Sequence, residues 1–301
     1  MLLNQTSGVS HAAGDQPILF RGELGEDAIH NRAMSLTRRA LNRPVGASYE
    51  YSNANYLVLG AIVEAVSGET YEHYLRAHVF EPLGMRHSYA SIEDARVNGL
   101  AQGHRQWLTW FEPSEVAYPP SFVPVGFIIT SVADMTRYLA MEANGGELDG
   151  ARLVSAASLA EMHRGATSMD AEGKSRYAMG WVSDTFNGVP VIYHDGDTGR
   201  FTSIMAISRE GVGVVILANG SGWLSGLHLT DAANGAINLL AGNTPKSYAT
   251  PYLITRMLYG VLLIVPFLQL LFAIKACLRK KRHSVSMRKK MLLVKSMFTV
   301  F

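Results

Sequence analysis

Apolar residues at Leu57, Val58, Leu59, Ile62, Val63 and Val66 fall at helical spacing after Asn53, with Gly68 as a C-terminal stop. Thr70 is placed to cap a second helix through Leu75 and Val79, ended by Pro82 and Gly84. Residues 91–125 are rich in proline and aromatics and read as a long loop over a site. Val132–Met141, closed by Asn144-Gly145-Gly146, and Val154–His163 read as two further helices. From Tyr177 the period drops toward two. Tyr177–Phe186, Val189–Tyr193, Phe201–Ser208 and Val212–Ala218 predict about four short strands in an antiparallel meander. Asn187-Gly188 marks a tight hairpin between the first two. Leu224–Leu240 reads as a closing helix and Gly242–Thr250 as a linker.

One run departs from this amphipathic pattern. Met257–Ile274 holds eighteen residues without a charge, near the lower limit for crossing hydrocarbon. Tyr252-Leu253-Ile254 extends it across Arg256, whose side chain can snorkel to the interface. Gly260 and Pro266 suit a membrane helix better than a soluble one. The alternative is a buried core helix. Against it stand Lys275, Arg279, Lys280, Lys281, Arg282, Arg288, Lys289 and Lys290, a cytoplasmic stop-transfer flank. The expected organisation is a domain at 1–242, a linker at 243–251, a transmembrane helix at 252–276 and a basic cytoplasmic tail at 277–301. Met291–Phe301 turns apolar again, as the start of a second span would. Cell-membrane localisation follows, with the domain on the extracytoplasmic side.

Charge sharpens the division. Residues 252–301 carry ten Lys/Arg and no acidic residue, leaving 17 basic against 25 acidic in 1–251. An acidic domain gives no support to a nucleic-acid partner. Cys277 is the only cysteine, so no intramolecular disulfide and no cysteine-rich metal site can form. Beside Lys275 and Arg279 it is a conceivable palmitoylation site, and an inert cysteine is the simpler reading. No His-Glu-x-x-His and no glycine-rich phosphate loop occurs, so neither metal nor cofactor is expected.

Two fragments carry chemistry. Tyr51-Ser52-Asn53 opens the first helix, and His194-Asp195-Gly196 ends a strand, followed by Asp197-Thr198-Gly199-Arg200-Phe201. Four more segments accompany them: Leu2-Leu3-Asn4-Gln5-Thr6-Ser7-Gly8, Tyr56 with Leu59-Gly60, Pro82-Leu83-Gly84-Met85, and Gly126 through Asp134. In this order they resemble the serine β-lactamase and penicillin-binding-protein superfamily, most closely its class C, esterase and D-aminopeptidase branch. The resemblance runs from about residue 2 to residue 241. It implies an α/β fold of the α+β type: an antiparallel sheet flanked by helices, with a mainly helical lobe beside it.

The resemblance also assigns roles. Tyr51 is the general base and acid, Asn53 orients the substrate amide or a catalytic lysine, and Gly196 lets substrate backbone approach the strand. His194 stands where many relatives carry lysine and would position substrate with a charge that varies near neutral pH. Locally, Asn53 reads equally well as an Asx turn or helix cap, and Tyr51 and His194 as ordinary packed or strand-end residues. The family's nucleophile lies in Ser-x-x-Lys, ahead of the tyrosine. No Ser-x-x-Lys occurs before Tyr51, so nucleophile Ser and Lys are absent. Ser286-Met287-Arg288-Lys289 fits the pattern but follows both other motifs in the basic tail, and Ser7 has no lysine three residues on. Met1–Thr6 also lacks an export signal. One expectation covers both gaps: the natural N-terminus lies upstream of Met1, and the chain is truncated.

The function expected is a membrane-anchored serine hydrolase. It would act on a small acyl, ester or peptide substrate, including a D-amino-acid peptide or β-lactam-type amide, through an acyl-enzyme. As 301 residues it is expected to be inactive. The alternatives are a non-catalytic relative that binds peptidoglycan or a partner, and a decayed fragment.

Overall fold

The computed structural model describes residues 1–14, 25, 27–36, 41–107, 110–115, 117–222, 225–246 and 249–297. Residues Met1–Lys246 form one unit and Ser247–Phe301 another.

Short helices α1 (His11–Gly14) and α2 (Ala28–Met34) precede α3 (Asn53–Ser67). Gly68 ends α3 in the left-handed region, φ 73°, where its missing Cβ removes the steric penalty. Leu57 is buried, whereas Ile62 and Val66 lie exposed, so only the N-terminal half of α3 belongs to the core. Gly60 explains the Leu-Gly pair of the motif: a Cβ there would collide with the Pro124 ring of α6 (Val123–Gly126). Thr70 accepts from the His73 N–H and caps α4 (Tyr71–Leu75), which continues as a π-helical turn over Arg76–Phe80.

The segment 91–125 is not the long loop its composition suggests. Ser91 caps α5 (Ile92–Val97), β1 (His104–Trp107) pairs with β2 (Trp110–Pro113), and a 3-10 turn at Pro120–Phe122 leads into α6. Each piece is too short for periodicity to register. Ser131 and Ser155 cap α7 (Val132–Ala143) and α8 (Ala156–His163), with a two-residue hairpin β3 (Glu147–Leu148) and β4 (Ala151–Arg152) between them.

The remaining strands are β5 (Thr167–Ser168), β6 (Arg176–Ala178), β7 (Trp181–Phe186), β8 (Val189–Asp197), β9 (Thr202–Ser208) and β10 (Gly213–Ala218). They form an antiparallel meander in the order β10-β9-β8-β7-β6-β5. Six strands replace the expected four because Met179 and Gly180, at φ 44° and 95°, split the first run, and because β5 is only two residues long. Asn187 and Gly188 take φ 49° and 92°, as a primed two-residue hairpin requires. β11 (Gly220–Ser221) runs parallel to β1 and completes a three-stranded sheet with β2.

Helix α9 (Ser225–Leu240) covers one face of the large sheet, where Ala233 and Ile237 pack on Phe186, Val189, Val191, Ile204 and Ala206. Leu139 of α7 covers the other face over Ala178, Trp181 and Ile207. A separate helical core gathers Leu75, Phe80, Leu83, Met85, Ala90, Val123 and Met141.

The second unit is one helix, α10 (Ala249–Met297), with Pro266 inside it. The tail expected after residue 276 continues this helix as far as Met297. Met257–Lys280 is long and apolar enough to cross a membrane. Its 24 residues rise about 36 Å, against a hydrocarbon core of about 30 Å.

Candidate active site

The Tyr-Ser-Asn corner is held from beneath by the first eight residues. Gln5 sits at φ 57° and is buried, and its Oε1 accepts from the Ser52 N–H at 2.9 Å and from Asn55 Nδ2 at 2.5 Å. Ser7 Oγ donates to Asn55 Oδ1 at 2.5 Å. Asn55 is fully buried, and both ends of its amide are thereby satisfied. Ser52 takes the N-cap position of α3 in extended conformation, yet its hydroxyl donates to the Ser10 carbonyl at 2.9 Å rather than capping the helix. Asn53 is the first helical residue, not the cap. Gly14 presses on this corner: a Cβ there would lie 2.6 Å from the Asn53 nitrogen.

The residue before the corner is also tied. Glu50 accepts from the His11 N–H at 2.7 Å and from Asn42 Nδ2, and pairs with Arg43 Nε at 2.8 Å. The His11 N–H, then Asn42 and Arg43, hold its carboxyl below the usual carboxylate range. His11 Nδ1 lies 3.0 Å from the Tyr51 carbonyl oxygen. Tyr51 therefore emerges from a backbone fixed on both sides.

The second fragment arrives on β8. β7 pairs with β8 only as far as Tyr193, whereas β9 pairs with it through Asp197. His194, Asp195 and Gly196 thus lie beyond the reach of β7 and take their strand pairing from β9. Gly196 is exposed, and a Cβ there would meet Ser203 Oγ at 3.2 Å. The following turn is stapled: Ser221 Oγ donates to both Asp197 carboxylate oxygens at 2.6 and 2.9 Å, and the Gly199 N–H to Asp197 Oδ1 at 2.6 Å. Arg200 Nε donates to Ser114 Oγ at 2.6 Å.

One side chain joins the two fragments. The Tyr177 ring lies edge-on to Tyr51 at 6.3 Å and edge-on to His194 at 6.4 Å between centroids. Tyr49 flanks it at 5.6 Å, and the Tyr177 hydroxyl donates to the Tyr56 hydroxyl at 3.5 Å. Tyr56 in turn donates to the Leu3 carbonyl at 3.2 Å, and Asn4 Oδ1 accepts from the Met179 N–H at 3.1 Å. Burial pushes Tyr56 up to about 12, and burial also drives Tyr177 and Tyr49 upward, so these three phenols are neutral hydrogen-bonding groups at physiological pH. Gln5, Asn55 and Tyr177 were not singled out from sequence. Gln5 lies inside the Leu2-Leu3-Asn4-Gln5-Thr6-Ser7-Gly8 segment, whereas a tyrosine in a strand carries no positional signal.

Burial pulls the His194 imidazole below its usual value, against a smaller opposing effect of Asp195. The folded protein therefore keeps His194 neutral where the unfolded chain, near pH 6.5, starts to bind a proton. His194 thus presents a neutral imidazole rather than a fixed positive charge. Stability should fall as pH drops from about 6.5 toward the lowered folded-state value, and level off below it, since the unfolded chain holds more protons in that window. His194→Gln should flatten this part of a stability–pH curve measured by urea unfolding. An unchanged slope would mean that another group titrates there.

The Ser7 and Ser52 hydroxyls are already engaged, with Asn55 and with Ser10. Among the described residues no group of three or more His, Cys, Asp or Glu side chains is gathered as a metal site. The arrangement supplies a phenol, a neutral imidazole and a strand edge beyond β7 on one rigid frame.

Comparison with known proteins gives a consistent pattern. The family profile "Beta-lactamase" matches residues 1–237. Penicillin-binding protein 4 of Amycolatopsis lactamdurans is 30% identical over 259 residues, 83% of this chain and 66% of the relative. The octameric penicillin-binding protein homologue from Pyrococcus abyssi superposes with a TM-score of 0.68 at 25% identity, covering 81% of this chain and 55% of that one. The D-amino acid amidase from Ochrobactrum anthropi SV3 superposes with a TM-score of 0.62 at 20% identity, covering 78% and 68%, a likeness of fold. The chain spans about a third to two thirds of the length of the curated relatives it matches.

Proposed function

The chain belongs to the Beta-lactamase family, and from that premise we propose that it is the acid–base and substrate-positioning part of a membrane-anchored serine hydrolase. The observation that carries this reading is Tyr177, whose ring touches both Tyr51 and His194 and so draws the two motif fragments to one place. Tyr51 acts as general base and acid. Asn53, at the start of α3, orients the substrate amide or the catalytic lysine. The strand edge from His194 to Gly196 receives substrate backbone by adding it as a further strand.

In this reading the nucleophile comes from outside these residues. Residues 1–301 hold no Ser-x-x-Lys ahead of Tyr51, and the reaction needs one supplied from outside them. The serine oxygen then attacks the carbonyl of an ester or amide. Its proton passes to the Tyr51–lysine pair and on to the departing alcohol or amine, leaving an acyl-enzyme. Water repeats the route, gives up a proton and releases the acid. A neutral His194 favours substrates held by hydrogen bonds over those held by a carboxylate, so esters and D-amino-acid amides rank ahead of β-lactams.

The engaged state of Ser7 and Ser52 favours a second reading, a non-catalytic relative that binds peptidoglycan-like ligands at the same strand edge. The two separate on one experiment. The chain joined to an N-terminal segment carrying Ser-x-x-Lys should hydrolyse an activated ester, and the chain alone should not. Ligand binding without turnover in the joined form would favour the second reading.

Anchoring is a further part of the proposal, supported by Met257–Lys280 and the basic residues that follow. With the domain outside the cell, protease added to intact cells should digest residues 1–246 and spare Lys280. Loss of the tail with survival of the domain would reverse the orientation.

A further inference from the structure

We infer that Tyr177 is a positioning residue of this site: its ring is the shared wall that sets where the Tyr51 phenol and the His194 imidazole stand relative to each other. The inference rests on reading Tyr51 and His194 as site residues, and goes beyond it by naming what holds them together.

Tyr177 is 1% exposed and comes from β6, yet its neighbours come from three other parts of the chain. Tyr49 and Tyr51 belong to the segment entering α3, His194 to β8, and Tyr56 to the first turns of α3. A three-residue strand is a weak support for such a role. Its far end is secured differently: the β6–β7 turn at Met179 donates its N–H to Asn4, from the same loop whose Gln5 holds Ser52 and Asn55. The Tyr177 hydroxyl faces Tyr56, which closes the circuit on Leu3 of that loop. The loop, α3, β6 and β8 therefore meet at one aromatic ring. Edge-on contacts such as those to Tyr51 and His194 depend on ring orientation, unlike general apolar packing. A leucine would fill part of the volume and leave both partners free to tilt.

Two variants separate ring from hydroxyl. Tyr177→Leu removes the edge-on contacts, and Tyr177→Phe keeps them while deleting the Tyr56 contact. In the full 301-residue chain, labelled with ¹³C in tyrosine and histidine rings, Tyr177→Leu should shift the Tyr51 and His194 signals together, whereas Tyr177→Phe should restore both. In the form carrying Ser-x-x-Lys, Tyr177→Leu should lower kcat by roughly 10²-fold, the scale of an ångström-sized misplacement, with a smaller change in KM. Tyr177→Phe should recover most of the loss. Signals that stay in place in a folded Tyr177→Leu chain, or that move independently, would overturn the inference. Equal losses in the Phe and Leu variants would overturn it too, by moving the role to the hydroxyl. Should the two signals move together while Tyr51→Phe leaves turnover untouched, the functional reading of Tyr51 fails and the coupling through Tyr177 stands.

Discussion

Tyr51→Phe, made in the chain joined to a Ser-x-x-Lys segment, is expected to lower turnover of an activated ester by roughly 10²–10⁴, the range for loss of a general acid–base group. The phenylalanine keeps the ring, and with it the edge-on contact to Tyr177, so the frame is undisturbed. Only the hydroxyl is lost. An isolated tyrosine titrates near 10 and is a poor base at neutral pH. Its use as a base therefore depends on a cation beside it, the part the proposed function gives to the Ser-x-x-Lys lysine. Two dependencies follow. The Tyr51→Phe effect should appear in kcat and kcat/KM alike, and it should vanish in a variant whose supplied lysine is already removed. A loss below tenfold, with Tyr51→Phe folded as the parent, would mean that another group moves the proton.

Asn55→Leu is expected to cost about 3–5 kcal/mol of stability, a large share of the 5–15 kcal/mol typical of a domain. Asn55 has no contact with solvent, and its amide is the meeting point of Gln5 and Ser7. Leucine has similar bulk but leaves the Ser7 hydroxyl without its acceptor and takes one of two donors from Gln5 Oε1. Stranding a buried polar group costs about 1–3 kcal/mol, and the Met1–Gly8 loop is tied to α3 through these bonds. Ser7→Ala removes two bonds, the one Ser7 Oγ donates to Asn55 and the one it accepts from the Val9 N–H, and should cost about 1–3 kcal/mol. Urea unfolding followed by tryptophan fluorescence measures both. An Asn55→Leu loss under 1 kcal/mol would show that the loop is held by something else.

Much of the frame was legible in the sequence. The alternation from Tyr177 onward announced the meander, Asn187-Gly188 its hairpin, and the uncharged run from Met257 the long apolar helix. The segment 91–125 was illegible because its elements span three to six residues, shorter than one period of reliable patterning. The break at Met179-Gly180 was missed for a different reason. A methionine at φ 44° is held there by its surroundings, including Asn4, and local propensity does not forecast it. The site divides in the same way. Tyr51, Asn53, His194 and Gly196 were picked from motif context, and the chain brings Tyr51 and His194 onto one ring. Gln5, Asn55 and Tyr177 serve through contacts between distant segments, and contacts of that kind leave no local trace in a single sequence.

Covalent labelling tests the central claim most directly. The purified 301-residue chain is treated with an active-site serine probe, such as a fluorophosphonate, and every modified residue is mapped by mass spectrometry. Residues 1–246 should carry no specific label, because Ser7 and Ser52 are hydrogen-bonded inside the frame and neither has a lysine three residues on to serve as a base. Joined to a Ser-x-x-Lys segment, the same chain should label on that serine alone, and Tyr51→Phe should slow the labelling. Stoichiometric modification of any serine between residues 1 and 246 in the unjoined chain would contradict the account and place the nucleophile inside it.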